Sequence, residues 1–268
     1  MNVDFGVGYS PERINPGDKA HNLTNTKKII SASSEYFLNI VEEIYSKIIL
    51  AGLYKTSTIE VAEATKIMEN VQRDVNIAFM NEFEDILKPM NINIWEVIEA
   101  AKTKWNFLNF KPGLVGGHCI GVDPYYLIYQ SEKNGVSPNL IRNAREINEK
   151  KVLTKVFSLL KKLYPTKDKK LLLLGITFKP NCPDVRNSKI IEMIKLLGDF
   201  ELDIFIFDPF VDPAMFPKYK FLQSLNEIDN KFEIICMTVE HNYFSSNEFN
   251  NYVKEHALQK KIVYLKNL

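Results

Sequence analysis

The sequence predicts an α/β protein with an all-helical central region followed by a C-terminal Rossmann-like parallel sheet. Two patterns carry that expectation. From Ser33 to Leu163, apolar residues return at three- and four-residue steps, the period of helices with one buried face. After Pro165 the pattern becomes short continuous apolar runs, such as Lys170-Leu171-Leu172-Leu173-Leu174-Gly175, alternating with helical stretches. Strands buried on both faces need such runs, and strand–helix alternation makes the sheet parallel, with ligands at the carboxyl ends of its strands.

At the start, Val3 to Val7 reads as a short strand or turn, followed by the irregular loop Gly8-Tyr9-Ser10-Pro11-Glu12-Arg13-Ile14-Asn15-Pro16-Gly17. A strand this early must pair with a later segment or with something outside the chain. Phe37, Ile40, Val41, Ile44 and Ile48 predict a helix within Ser33–Leu53, capped by Ser33 or Ser34. A second helix is expected from Thr58 to Leu87, ended by the Pro89 region, and a third from Ile94 to Lys102 behind Asn93. Tyr125 to Glu132 starts a fourth, and Ser137-Pro138 opens a longer one to about Leu163. Later strands are expected at 170–175, 203–209, 232–239 and 261–265, with a helix at 188–197. Three segments result: 1–30, 31–165 and 166–268.

Composition narrows the class. A net charge of +1 offers nothing for nucleic acid or an anionic membrane surface. No apolar run approaches the roughly 20 residues that span a bilayer, and the first residues lack the basic and apolar regions of a signal peptide. The three cysteines, Cys119, Cys182 and Cys236, lie far apart without a C-x-x-C, so a reducing, cytoplasmic setting is expected.

The chemistry concentrates in Val115-Gly116-Gly117-His118-Cys119-Ile120-Gly121-Val122-Asp123-Pro124-Tyr125-Tyr126. Paired glycines let a loop wrap closely around a ligand, and a thiol at its lip is placed for nucleophilic attack. The competing reading is a small buried hydrophobe, the usual state of a free cysteine. A thiol hydrolase would need a histidine base, and His21, His241 and His256 carry no matching signature. A zinc site would need more paired ligands than His118-Cys119. Lys66, Asn70, Arg73 and Asn81 recur at near-helical steps on the second helix, where a lysine is ordinarily a snorkelling surface residue. Gly175 to Ser188 follows a strand and leads into a helix, bringing Lys179 and Arg186 to a helix N-terminus suited to phosphate or ribose. An ordinary βα loop with solvated charges is the alternative. No G-x-G-x-x-G occurs; Gly6-Val7-Gly8 comes nearest, but Pro11 stands where the third glycine belongs.

Five ordered motifs resemble the nucleotide-sugar 6-dehydrogenase family, the UDP-glucose and GDP-mannose dehydrogenases. They are residues 8–17, Glu-Ala-Thr-Lys-Ile-Met-Glu-Asn at 63–70, Arg-Asp-Val-Asn-Ile-Ala at 73–78, residues 115–126, and Phe-Lys-Pro-Asn at 178–181 with Asp184-Val185-Arg186. His118 and Asp-Pro-Tyr-Tyr favour the branch acting on UDP-N-acetylmannosamine or UDP-N-acetylglucosamine. The resemblance implies NAD-dependent, two-step oxidation of the sugar's C6 alcohol to the uronate through a cysteine thiohemiacetal and thioester, supplying precursors of surface polysaccharides. It implies Cys119 as nucleophile, Lys66 for the oxyanion, Asn70 to orient water or the sugar oxygen, Asp123 to assist water activation beside Lys66, and Glu12 for proton transfer. A nearby lysine favours a thiolate, and a fixed cation suits charge that develops in a transition state.

Lys179 and Arg186 would hold the substrate's phosphates or uronate from a C-terminal UDP-sugar-binding domain, and both are also the implied cofactor-binding residues. Arg13, Arg73, Gly116, Gly117, His118, Tyr125 and Tyr126 complete the implied substrate side. The central helices would make a homodimer.

The N-terminal NAD-binding Rossmann domain, about 150 residues in the family, is largely missing from this chain, with residues 1–30 as its remnant. Two readings follow. The chain is a dehydrogenase part, completed by a separate NAD-binding polypeptide or truncated from a longer frame. Otherwise it is a non-catalytic UDP-sugar-binding or dimerising module. Alone it is expected to bind a UDP-sugar with little turnover and to aggregate through exposed edges.

Overall fold

The structure, a computed structural model, describes residues 4–14, 20–225, 231–258 and 262–268. The chain divides into two compact units, Met1–Gln72 and Arg73–Leu268.

In the first unit, β1 (Gly8–Tyr9) runs antiparallel to β2 (Lys28–Ala32), which pairs in parallel with β3 (Leu53–Lys55). α1 (Glu35–Ser46) connects β2 to β3, capped by the Ser34 hydroxyl, which accepts from the Phe37 amide. Phe37 and Val41 lie against Gly6 and Gly8, while Ile40, Ile44 and Ile48 are exposed. The expected strand at Val3–Val7 is displaced: residues 4–7 are not strand, β1 begins at Gly8, and Val3 falls outside the described residues. β1 does pair with a later segment. β3 also stands where the sequence predicts the end of a helix. At three residues, with no alternating pattern of their own, such strands leave no periodic signal; hydrogen bonds to β2 define β3.

α2 (Ile59–Leu87) is one continuous helix that passes into the second unit. There α3 (Ile94–Ala101), capped by the Asn93 side chain, packs Ile94 and Ile98 on Met80 and Leu87. α4 (Asp123–Lys133) and α5 (Asn139–Leu163) follow. Residues 74–85 of α2 meet α5 through buried polar groups. Asp74 accepts from Arg145 at 2.6 Å and from Asn148 at 2.7 Å, and Lys151 pairs with Glu84 at 2.7 Å.

The chain then forms β4 (Lys169–Leu174), α6 (Lys189–Leu197), β5 (Leu202–Phe207), β6 (Lys220–Phe221), β7 (Ile234–Met237), α7 (Asn247–His256) and β8 (Ile262–Tyr264). The five strands make one sheet of order β6-β5-β4-β7-β8, with every pairing parallel. Leu171 and Leu173 face Val152, Val156 and Leu159 of α5 and Met193 and Leu197 of α6. Leu172 and Leu174 face Phe249, Tyr252 and Val253 of α7. Helices on both faces explain why the four leucines read as an unbroken run. β6 and α7 were not expected from sequence. β6 has two residues, and the α7 sequence Asn-Glu-Phe-Asn-Asn-Tyr-Val-Lys-Glu-His is rich in weak helix formers.

Candidate active site

In the first unit, four expected catalytic or substrate residues converge. Lys66 donates to the Glu12 carbonyl. Arg13 donates to Asn70 Oδ1 at 2.9 Å and pairs with Glu69 at 2.7 Å. Asn70 is fully buried. Lys28 joins them unannounced by any sequence signal; its ammonium donates to the Pro11 carbonyl at 3.1 Å. Burial holds the Lys28 ammonium below the usual lysine range, Glu12 opposes that, and the neighbouring Lys66 charge adds to it. Lys66 and Lys28 therefore both donate to carbonyls of one loop, at Glu12 and Pro11.

The second unit carries the cysteine loop. Cys119 is exposed, whereas Cys182 and Cys236 are buried. Its carbonyl accepts from the Val122 and Asp123 amides at 3.1 and 2.9 Å, and Asp123 is the first residue of α4. Cys119 and Asp123 thus lie one tight turn apart. Gly117 adopts φ +82°, and a side chain there would press on the Phe178 ring. A Cβ on Gly116 would come within 2.6 Å of the Asn187 carbonyl. Gly116 is required by this close approach of two backbones, and Gly117 by its left-handed φ.

That approach joins the cysteine loop to the segment after β4. The Gly117 amide donates to the Asn187 carbonyl at 3.2 Å, and His118 Nε2 lies 3.0 Å from Asp184 Oδ2. Arg186 donates to the same carboxylate through Nη2 at 2.8 Å and Nε at 3.1 Å. Those bonds, followed by the one with His118, hold the Asp184 carboxyl far below its ordinary range. Arg186 is strongly exposed but committed to Asp184, so any phosphate it meets must share it. Lys179 lies over the Phe178 ring, its ammonium 5.4 Å from the centroid. Tyr125 stacks under Arg145 at 5.4 Å, Tyr126 is exposed, and Arg73 is half-buried on α2.

Asn81 anchors the start of the cysteine loop, a role its place in the sequence did not announce. It donates to the Gly113 carbonyl at 2.9 Å and accepts from the Gly113 amide at 2.8 Å. Its third partner is Asn148 Oδ1 at 2.8 Å. Strand order reverses between β4 and β7, the point at which a doubly wound sheet opens a crevice. A cleft of about 220 Å³ lies there, lined by Thr177, Phe178 and Lys179 after β4, Thr238 and Glu240 after β7, and Gly116 of the cysteine loop. No group of residues fit to hold a metal ion occurs among the described residues. None of their helices is long and apolar enough to cross a membrane.

A parallel sheet with a cationic crevice at its switch point, knitted to a glycine loop bearing an exposed thiol, defines a nucleotide-binding α/β class. The central-domain model of the UDP-glucose/GDP-mannose dehydrogenase family matches residues 60–150, and the family's UDP binding domain matches residues 172–267. The chain belongs to that family. It is 46% identical over 251 residues to the UDP-N-acetyl-D-glucosamine 6-dehydrogenase of Salmonella typhi, covering 91% of this chain and 59% of that protein. Protein CapL of Staphylococcus aureus is 44% identical over 259 residues, 94% of this chain and 61% of that protein. The structure of a UDP-D-ManNAc dehydrogenase from Pyrococcus horikoshii superposes with a TM-score of 0.83 at 29% identity, over 96% of this chain and 60% of that one. The chain therefore spans about three-fifths of the length of these relatives.

Proposed function

We propose that this chain supplies the cysteine loop and nucleotide-binding domain of a UDP-N-acetylhexosamine 6-dehydrogenase. The observation that carries the proposal is the joining of the Cys119 loop to the Asp184–Asn187 segment at the mouth of the sheet, which would set the thiol against a sugar whose diphosphate rests there. Lys179, with Arg186 shared from Asp184, meets the diphosphate. Loss of a first hydride and a proton turns the C6 alcohol into the aldehyde; Cys119 adds to it as thiolate, and the resulting alkoxide gains a proton to give a thiohemiacetal. Removal of a hydride and a proton leaves the thioester. Water then hydrolyses it, releasing the carboxylate and the free thiol. Lys66 steadies the oxyanion, Asn70 orients water or the sugar oxygen, and Asp123 and Glu12 move protons. Arg13, Arg73, Tyr125 and Tyr126 border the sugar.

The family is NAD-dependent, and NAD would accept the hydride. This sequence contains no G-x-G-x-x-G, and Lys179 and Arg186 are its candidates for a cofactor contact. An NAD-binding domain outside these 268 residues, on the same or a separate polypeptide, would complete the enzyme. Phe79, Ile86 and Met90 form an exposed apolar stripe along the end of α2 and just beyond it, supporting a homodimer through the central helices.

The test uses the purified chain with UDP-N-acetylglucosamine and UDP-N-acetylmannosamine. Calorimetry should show binding of at least one. NADH absorbance should rise only when an NAD-binding polypeptide is added, and Cys119→Ser should then form no acid. Acid formation by Cys119→Ser at the wild-type rate would refute the nucleophile assignment. NAD reduction by the chain alone would refute the split. A chain that binds UDP-sugar but never turns over with any such polypeptide would favour the non-catalytic module.

A further inference from the structure

The buried pair Asp208–His241 has no part in the chemistry above, yet it lies beneath the loop that carries Lys179. Asp208 follows β5, and its Oδ2 accepts from the amides of Ile176 at 2.7 Å and Thr177 at 3.3 Å. Its Oδ1 accepts from the Phe210 amide at 2.9 Å. His241 Nε2 stands 3.1 Å from Oδ2, and both side chains are fully buried. The other ring nitrogen, Nδ1, faces the Asn181 amide at 2.9 Å. An amide N–H can only donate, so Nδ1 carries the lone pair and Nε2 the proton given to Asp208. Both partners together set the tautomer. Asn181 adopts φ 55°, and its Oδ1 accepts from the Asn242 amide at 2.8 Å. Within the loop, Thr177 Oγ1 donates to the Lys179 carbonyl at 2.9 Å. Residues 176–181 are thus tied at both ends to one imidazole–carboxylate unit, with Lys179 between the ties.

We infer that His241 is a positioning residue for the anion-binding loop: its Nδ1 lone pair, through the Asn181 amide, holds Lys179 in place for a diphosphate, and only the neutral imidazole does so. This rests on the proposal that Lys179 meets the substrate's phosphates. Protonation would set a second N–H against the Asn181 N–H and turn a hydrogen bond into a repulsion. Asp208 faces the ring from the end of β5, and Thr177 and Asn181 face it from the loop after β4. Phe210 and Phe244 pack against it at a tilt, with centroids 4.9 and 5.7 Å away. Glu240, next in the chain, turns instead to Lys266 at 2.7 Å. Burial opposes the charge of Asp208, but the bonds from His241 and from the Ile176 and Phe210 amides outweigh it, and the carboxyl lies below its ordinary range. Asp208 therefore stays an acceptor for Nε2.

Two substitutions separate the ring's two functions. In His241→Asn, Oδ1 stands near the position of Nδ1 and keeps an acceptor for Asn181. In His241→Gln, the amide nitrogen reaches toward Asp208 but the acceptor is lost. Binding of UDP-N-acetylglucosamine, whose diphosphate diester does not titrate here, is measured by calorimetry from about pH 8 to about pH 5, the range in which imidazoles change charge. At pH 8 we expect His241→Gln to lose about tenfold in affinity, the worth of one hydrogen bond. His241→Asn should remain within about threefold of wild type. An acid-side loss of affinity in the wild type that His241→Asn lacks is the signature of the protonated ring. Subtracting the His241→Asn profile removes pH effects that arise elsewhere in the protein. Equal losses in the two variants, or a His241→Gln profile matching wild type, would overturn the inference. Lys179→Ala tests the underlying proposal separately: undiminished binding there would remove the diphosphate contact whatever His241 does. Should either histidine variant fail to melt cooperatively, hydrogen-exchange protection of residues 176–181 in the wild type decides. Protection factors that fall with acidification support the inference, and constant ones overturn it.

Discussion

Asn81 offers the clearest quantitative test of how the cysteine loop is held. Asn81→Ala removes three hydrogen bonds: two with the Gly113 backbone and one with Asn148 Oδ1. Gly113 is half-buried, so water can replace part of its loss, and each of those bonds is worth about 1 kcal/mol net. Asn148 is 1% exposed, so its acceptor loses a partner that water cannot easily replace, a cost of about 1–2 kcal/mol. Alanine is the better helix former by about 0.5 kcal/mol and returns that much. The net destabilisation is about 3 kcal/mol, or about 6–12 °C in melting temperature for a chain of this size. Urea titration at constant m-value measures it directly. Asn81→Asp should cost at least as much, because it sets a buried carboxylate oxygen against the Gly113 carbonyl and Asn148 Oδ1. An Asn81→Ala protein within about 0.5 kcal/mol of wild type would show that Asn81 does not anchor the loop.

Ellman's reagent should modify one thiol per native chain and none in Cys119→Ser, because Cys182 is 7% exposed and Cys236 is fully buried with its thiol pushed up to about 12. A second fast-reacting thiol in the native state would contradict this packing. Asp208 has a folded pKa below its ordinary value of 3.8, so its contribution to stability is present above about pH 4 and is lost as pH falls through the folded value. Asp208→Asn should lower stability at neutral pH by about 1–3 kcal/mol and flatten the acid limb of the stability curve; an unchanged acid limb would refute it. Gly117→Ala, at φ +82° and against the Phe178 ring, should cost about 1–2 kcal/mol in chemical unfolding, and a neutral result would exclude the left-handed turn.

Local patterns revealed most of the architecture. The run Leu171–Leu174, the helical recurrence through α2 and α5, and the caps at Ser34 and Asn93 are properties of neighbouring residues, and those elements fold where such properties place them. The motif at 115–126 identified the exposed thiol among three cysteines, and the ordered motifs identified the family. β2, β3 and β6 escaped detection because each carries a lysine and lacks the continuous apolar run that marks β7 and β8, and pairing with a neighbour defines them.

The sequence alone determined the residue types available for chemistry and the elements that carry them. Tertiary structure decided which of them meet. Asn81 reaches Gly113 across 32 positions, His118 reaches Asp184 across 66, and His241 reaches Asp208 across 33 and Asn181 across 60. Periodicity reports which side of an element is buried. It carries no information on what lies opposite once the sheet has brought β4, β5 and β7 side by side. Hydrogen-bond partners, the tautomer of His241 and the sharing of Arg186 by Asp184 depend on that juxtaposition, because directional bonds act only over about 3 Å.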